Sequence, residues 1–556
     1  MGDRHWLPEQ DRTWASTYGP VIVAYVIVTV LTAANHQGDT IHYAEDILKA
    51  RLFVDFGHLL WRPVVYLIAN LVKPLTRIIV GPEPYANIVW TLLAINWLAG
   101  LVCVCLVRSL AGLFNRTKKY GADLVAGGFL LSYAFLDFSQ TGSAYVPGLA
   151  FLLFGLYLLV KHSIKSRKSS NVVWLPAVML ALGVSLWAPY ILAIPAILVS
   201  PLFLPGPDKR RIFRLIGQST AAFGLTAILI FAPVALSQGI SSFAELKAWI
   251  SASSHNLPSQ SGLPRMIVGL AKSFLDVGHY GLSLKRYFLH DPYSPVSFIH
   301  LFQFHFLKVL VFYFFLITVI IHLLQSKEGR SLFWLWALGS LPAMLFGLFW
   351  IGGAANLYFP IYPVTFLILS YVSSQSHLLT WFKSTAIILL ILLAISNISA
   401  TAKPVLRQEQ KTSFSRMQDL LPRLTPKSRI VVVAPDSVHQ FLFNFPLHPV
   451  NRERKIHWQM IYDVAGSHPI RDWRKALAAD TFAAWQNGGD VWVSGRVLSP
   501  RPKAEWGWVE GSVPGVSWKE IHELFSRLDF EKAPRNSDGF LLLKRSSPNE
   551  EILRRL

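Results

Sequence analysis

The chain carries a series of apolar stretches, each close to the length of a bilayer-crossing helix, separated by short basic segments. A hydrocarbon core about 30 Å thick is crossed by a helix of about 20 apolar residues. Repeated many times, the pattern therefore admits one class of fold, a bundle of membrane-spanning helices. Charged residues make up 15% of the 556, where a soluble protein carries about a quarter, so one ordinary soluble core is excluded. The clear stretches are 17–34, 86–107, 121–138, 143–160, 212–236, 300–325, 331–351, 354–373 and 381–400. Stretch 172–204 is almost wholly apolar over 33 residues and would run to about 50 Å as one helix. The Trp187-Ala188-Pro189 step breaks it into two short spans. Segment 58–81 is apolar but carries His58, Arg62, Lys73, Pro74 and Arg77, so it either spans the bilayer or lies along its surface.

The positions of Lys and Arg decide between these options, because cytoplasmic loops collect basic residues. With 58–81 on the outer surface and 172–204 counted twice, four basic clusters fall inside. They are Arg108/Arg116/Lys118/Lys119, Lys161/Lys165/Arg167/Lys168, Lys209/Arg210/Arg211/Arg214 and Lys327/Arg330. The short segment 138–143 has no Lys or Arg and falls outside. The reading is a polytopic α-helical membrane protein of about eleven spans, with its N-terminus inside and its C-terminus outside. Residues 1–16 mix acidic and basic side chains and no small-residue cleavage site follows, so the first span is read as retained. The net charge of +20 belongs to this loop pattern and points to anionic lipid, not nucleic acid. Cys103 and Cys105 are two apart on one helix and so diverge, which fits neither a disulfide nor a shared metal.

Two units follow, a transmembrane unit over 1–402 with outer loops 35–85 and 237–299, and an outer soluble α/β domain over 403–556. In the latter, 429–434, 490–497 and 539–544 read as strands, and 470–486 and 517–528 as helical stretches. Trp473, Trp485, Trp492, Trp506, Trp508 and Trp518 crowd this domain, either as packing or as surfaces for sugar or the membrane interface.

The first outer loop begins Gly38-Asp39-Thr40-Ile41-His42-Tyr43-Ala44-Glu45-Asp46. From Thr40 it is amphipathic at helical spacing, with Ile41, Ala44, Leu48 and Leu52 on the apolar side. Asp39 sits just before the first turn, where an Asp commonly caps a helix through its backbone N–H groups. A second acid, Asp137, ends the third span at the outer face, either as a simple boundary residue or as a group facing Asp39.

This arrangement resembles the GT-C superfamily of integral membrane glycosyltransferases, and within it the protein O-mannosyltransferases and the lipid A aminoarabinose transferases. The resemblance rests on Asp39 after the first span, the Tyr43-Ala44-Glu45 stretch, the surface segment 58–81, the late Tyr358-Phe359-Pro360-Ile361-Tyr362-Pro363 run and the outer C-terminal domain. Two departures stand out. The Asp-Glu pair common in the superfamily is Asp39-Thr40 here, and Asn356 and Leu357 occupy the place where an Arg often precedes the late Tyr.

The resemblance implies an inverting glycosyltransferase that moves a hexosyl or pentosyl group from a polyprenyl-phosphate donor to an acceptor hydroxyl. Such a transfer needs a base for the acceptor proton and positive charge for the departing phosphate. Asp39 is the expected catalytic base. Asp137, Tyr43, His58, Arg62, Lys285, Arg286 and Tyr358 are the expected substrate-binding residues. For His58 and Arg62 the other reading is interfacial anchoring, with Trp61, and for Tyr358 it is packing at a helix break. No cofactor is fixed by the sequence, and a divalent metal ion between Asp39 and Asp137 stays open. The expected partners are the lipid-linked donor, a protein, lipid or polysaccharide acceptor, and membrane lipid, in a plasma or inner membrane with the C-terminal domain outside it. A flippase for the same lipid-linked sugar and a non-catalytic membrane scaffold are the alternatives. Transporters keep ionisable groups at mid-membrane and show inverted repeats, whereas the notable acids here lie at the outer boundary.

Overall fold

The computed structural model describes residues 14–34, 38–53, 55–81, 84–114, 119–164, 174–204, 209–252, 262–277, 282–301, 306–374, 380–402, 420–433, 457–465, 472–502, 510–511, 515–531 and 539–556. Arg116, Lys118, Lys165, Arg167, Lys168, Trp506 and Trp508 lie outside the described residues.

The helices follow the apolar pattern. In chain order they are α1 (Trp14–Leu31), α2 (Gly38–Leu48), α3 (Trp61–Val80), α4 (Pro84–Phe114), α5 (Lys119–Leu130), α6 (Tyr133–Phe138), α7 (Tyr145–Ile164), α8 (Trp174–Leu186) and α9 (Ile194–Val199). After these come α10 (Lys209–Ser237), α11 (Phe243–Ala252), α12 (Leu263–Phe274), α13 (Leu282–Phe288), α14 (Phe298–Leu301), α15 (Leu307–Leu324), α16 (Lys327–Phe349), α17 (Tyr362–Ser374) and α18 (Thr380–Ala400). Among the described residues, six helical stretches are long and apolar enough to cross a membrane: Pro84–Phe114, Tyr145–Ile164, Lys209–Ser237, Leu307–Leu324, Lys327–Phe349 and Ala355–Ser374. Shorter apolar stretches at Thr17–Leu31, Gly121–Leu130, Trp174–Leu186, Ala188–Phe203 and Ile387–Ala400 occupy the other positions read from the sequence.

Burial sorts these helices into layers. The apolar window of α7 is 61% buried and that of α10 only 11%, so α7 is central and α10 peripheral. Phe213, Ile228, Leu229 and Leu236 of α10 face outward, an apolar surface that water would penalise and lipid accepts. At the centre, α7 and α8 come into backbone contact. A Cβ on Gly183 would collide with Leu152 and sit 3.0 Å from the Gly148 carbonyl oxygen, so only a hydrogen side chain fits there.

Three breaks interrupt the helices. The expected helix over 121–138 is interrupted, because Ser132 is extended (φ −63°, ψ 130°) between α5 and α6. The freed Leu131 carbonyl is taken by Asn397 Nδ2 at 2.6 Å. The second break is at Trp187 (φ −148°, ψ 106°), after which Ala188–Ala193 forms a 3-10 turn. The third is the 3-10 turn Ala355–Ile361 that precedes α17. In each case the backbone groups released from the helix ladder need another partner.

Helix α3 carries an apolar face on both sides. Trp61, Val65 and Ala69 are buried against α2 and α4, while Leu71 and Ile78 are 80% and 84% exposed. A helix with that pattern and three basic residues suits the bilayer surface. In α2 the buried apolar residues are Tyr43, Ala44 and Ile47, whereas Leu48 is exposed. The packed face is thus rotated from the expected one, since Trp61 and Leu92 offer their surface to Tyr43 and Ile47.

The C-terminal residues form a four-stranded sheet of order β2-β1-β3-β4, with β1 (Arg429–Val432), β2 (His457–Met460), β3 (Val491–Ser494) and β4 (Phe540–Leu542). β1 runs parallel to β2 and β3, and β4 is antiparallel to β3. Helices Trp473–Gln486 and Trp518–Ser526 cover it. Trp473, Trp485, Trp492 and Trp518 are all buried, so these four pack the domain and offer no face to a sugar. Tyr293, from the loop before α14, packs on the same core.

Candidate active site

Asp39 lies inside the first turn of α2, one residue after the helix start. Its carboxylate is partly buried and accepts a hydrogen bond from the Tyr145 hydroxyl, Oη to Oδ2, at 2.7 Å. The contact joins α2 to the first residue of α7. The intervening loop is tied down as well. Gly142 N–H donates to Thr40 Oγ1 at 2.7 Å, and Trp61 Nε1–H donates to the Gly142 carbonyl at 2.9 Å. The approach is close enough that a Cβ on Gly142 would lie 2.7 Å from Thr40 Cγ2 and 2.8 Å from Leu92 Cβ.

Tyr145 is held on several sides. Phe138 and Trp187 meet its ring edge-on, with centroids 5.1 and 5.0 Å away, and the Tyr190 hydroxyl donates to its carbonyl at 2.6 Å. The Asn356 side chain is its neighbour. The late Tyr-Phe-Pro turn therefore reaches the site through Asn356.

Beside this pair sits a buried ionic cluster. Arg62 donates from Nε to Asp46 Oδ2 at 3.0 Å and from Nη1 to Asp55 Oδ2 at 2.7 Å, with its guanidinium 4.8 Å from the Tyr43 ring centroid. Asp55 Oδ1 caps the short turn Phe56–His58 by accepting from His58 N–H at 2.8 Å, and it meets His58 Nδ1 at 3.2 Å. Burial alone would raise the Asp55 carboxyl, but the His58 hydrogen bond and the Arg62 charge overrule it and hold the carboxyl well below its ordinary value. Burial pushes the Tyr43 phenol well above its ordinary value, helped by the Asp39 and Asp55 carboxylates and opposed by Arg62. The His58 ring lies 5.4 Å from Tyr43 and 5.9 Å from Tyr145. His58 Nε2 is buried and makes no hydrogen bond among the described residues.

Tyr43, His58 and Arg62 thus gather around Asp39 as a group. Arg62, however, is only 3% exposed and engaged by two carboxylates, so it braces the segment between α2 and α3 and presents no free guanidinium at the surface. The other expected residues sit elsewhere. Asp137, on α6, is 3% exposed and lies near Lys272 of α12. Burial pulls Lys272 down to about 8, against the opposing pull of Asp137 and Asp276. Arg286 is buried, meets Asp291 at 3.6 Å and donates to Ser294 at 2.8 Å; Lys285 precedes it on α13. Tyr358 is fully buried, with its hydroxyl 2.8 Å from the Gly352 carbonyl and 3.1 Å from that of Met266. That hydroxyl clamps the 3-10 turn to α12 and the end of α16, which accounts for it as packing at a helix break.

A metal site does not emerge from the side chains around Asp39. Among the described residues no group of three or more His, Cys, Asp or Glu converges, and the partner of Asp39 is a phenol. No step below runs through a metal.

The sequence pattern did not single out Tyr145, Asp55 or Lys272. Tyr145 has the place of an ordinary aromatic at a span end, where Tyr is common. Asp55 stands amid apolar residues with no periodic signature, and Lys272 falls in a loop read as irregular.

No family model matches the sequence, and no curated protein matches it. Solved structures do. ArnT from Cupriavidus metallidurans bound to undecaprenyl phosphate aligns over 96% of this chain and 98% of its own, at 8% identity and a TM-score of 0.51. The chain has the GT-C fold. The oligosaccharyltransferase of Archaeoglobus fulgidus, without ligand, aligns over 93% of this chain and 74% of its own at 11% identity, with a TM-score of 0.45. The alignment to ArnT runs through both the helical part and the C-terminal sheet, so the GT-C architecture accounts for nearly the whole length.

Proposed function

We propose that this chain is a membrane glycosyltransferase that moves a sugar from a polyprenyl-phosphate donor to an acceptor hydroxyl on the outer face, with Asp39 as the base. The observation that carries the reading is the partly exposed Asp39 carboxylate, held at 2.7 Å by Tyr145 where the first turn of α2 meets the start of α7. In that geometry one carboxylate oxygen is engaged by the phenol and the other takes the acceptor proton. ArnT, whose structure holds undecaprenyl phosphate, supports a polyprenyl-linked donor here. The donor's hydrocarbon tail lies in lipid beside the bundle, which is why the catalyst is built on spans.

In this reading the chain crosses the plasma or inner membrane about eleven times, its N-terminus is cytoplasmic, and residues 403–556 form a domain on the outer side. His58, through its buried Nε2, is the group beside Asp39 set aside for donor phosphate or sugar. Asp137 with Lys272 forms a second polar pair at the outer ends of the helices.

The test is transfer of label from a radiolabelled polyprenyl-phosphate sugar in membranes containing the wild-type chain or Asp39→Asn. Label moves in the wild type and not in the variant. Undiminished transfer by Asp39→Asn removes Asp39 from the mechanism. Thiol-accessibility mapping at positions 45 and 430 checks the orientation, and labelling of either from the cytoplasmic side overturns it.

A further inference from the structure

One side-chain contact at the site joins residues 106 positions apart, the Tyr145 hydroxyl to the Asp39 carboxylate. We infer that Tyr145 is a positioning residue for transfer: it fixes the orientation of Asp39, so that one oxygen faces the acceptor. This rests on the reading of Asp39 as the base.

Two features support it. First, the phenol is immobile. Phe138, Trp187 and His58 surround the ring, and Tyr190 holds the backbone carbonyl. Second, the contact is one of a pair. Thr40 Oγ1 accepts from Gly142 N–H one residue along from Asp39 and three residues before Tyr145. Two neighbouring bonds therefore close the same gap between α2 and the start of α7, and the carboxylate cannot turn away without breaking a bond.

In the transfer step the acceptor O–H proton passes to Asp39. A new C–O bond forms at the anomeric carbon as the bond from that carbon to the phosphate oxygen breaks. The electron pair leaves with the lipid phosphate. Tyr145 touches none of these atoms and acts through Asp39 alone.

Tyr145→Phe removes the hydroxyl and keeps the ring that Phe138 and Trp187 pack on. In purified protein it is expected to lower kcat ten- to hundred-fold and to leave donor KM within about twofold, a split that a general loss of structure or of donor binding would not give. Thr40→Val, which removes the acceptor of the neighbouring Gly142 N–H bond and keeps Tyr145 itself, is expected to lower kcat in the same way, which tests the idea even if the Phe variant fails to fold. An unchanged kcat in both variants overturns the inference while leaving the role of Asp39 intact. Failure of Asp39→Asn to lose activity overturns the proposed function itself.

Discussion

Replacing Arg62 with Met should destabilise the protein far more than it weakens donor binding. The side chain is 3% exposed and Asp55 is 5% exposed, with two ion-pair contacts at 2.7 and 3.0 Å and a cation–π contact at 4.8 Å. A surface ion pair contributes roughly 0–1 kcal/mol. Removing one partner of a buried pair costs about 3–5 kcal/mol, because the other charge stays buried without compensation. Arg62→Met leaves the Asp55 carboxylate in that state, with His58 as its remaining partner. The double variant Asp55→Asn/Arg62→Met removes both charges and should recover most of the loss, since a buried pair replaced by neutral groups is often close to neutral in energy. The assay is thermal unfolding in detergent, with donor KM measured in parallel. A fall of several degrees in Tm for the single variant, largely restored in the double, is the expected result. An unchanged Tm with a large rise in donor KM would refute the argument and return Arg62 to the role of a phosphate ligand.

Two further outcomes follow from the same geometry. Because Asp55 is held below its ordinary value, its contribution to stability is complete above the ordinary carboxylate range. It is lost as pH falls below that range and through the folded-state value. Melting curves from pH 7 down to pH 3 should therefore show an acid-side loss in the wild type that is smaller in Asp55→Asn; equal losses would contradict the pairing. Gly142→Ala should push the new methyl against Thr40 and Leu92, costing about 1–3 kcal/mol and displacing the first turn of α2. Transfer activity should fall with it, and a variant of unchanged activity and Tm would show that the loop and α2 are not rigidly coupled.

The sequence disclosed the apolar helices because bilayer thickness imposes a length that few other structures require. It disclosed the break at Trp187 because Pro189 interrupts the ladder. The break at Ser132 was hidden, since Leu131-Ser132 contains no strong helix breaker. A distant Asn397 that captures the Leu131 carbonyl supports it. Strand β2 was missed for a related reason: His457-Trp458-Gln459-Met460 lacks β-branched residues, and its place is set by pairing with β1. At the site, Asp39 stood out as an acid beyond the first span, whereas Tyr145, its partner, is fixed only by the tertiary fold. Arg62 read as a headgroup contact because its neighbours in sequence are apolar. The carboxylates that claim it, seven and sixteen residues earlier, come together only where α2, the turn Phe56–His58 and α3 fold onto one another.

The most direct test of the account separates binding from chemistry at Asp39. In purified protein, donor affinity is measured by equilibrium binding of a labelled polyprenyl-phosphate sugar, and single-turnover transfer is followed on the same samples. The account predicts that Asp39→Asn binds donor about as well as the wild type and transfers it at least about a hundredfold more slowly, the share a general base commonly supplies. Equal transfer rates would contradict it, as would a variant whose whole defect is lost donor binding.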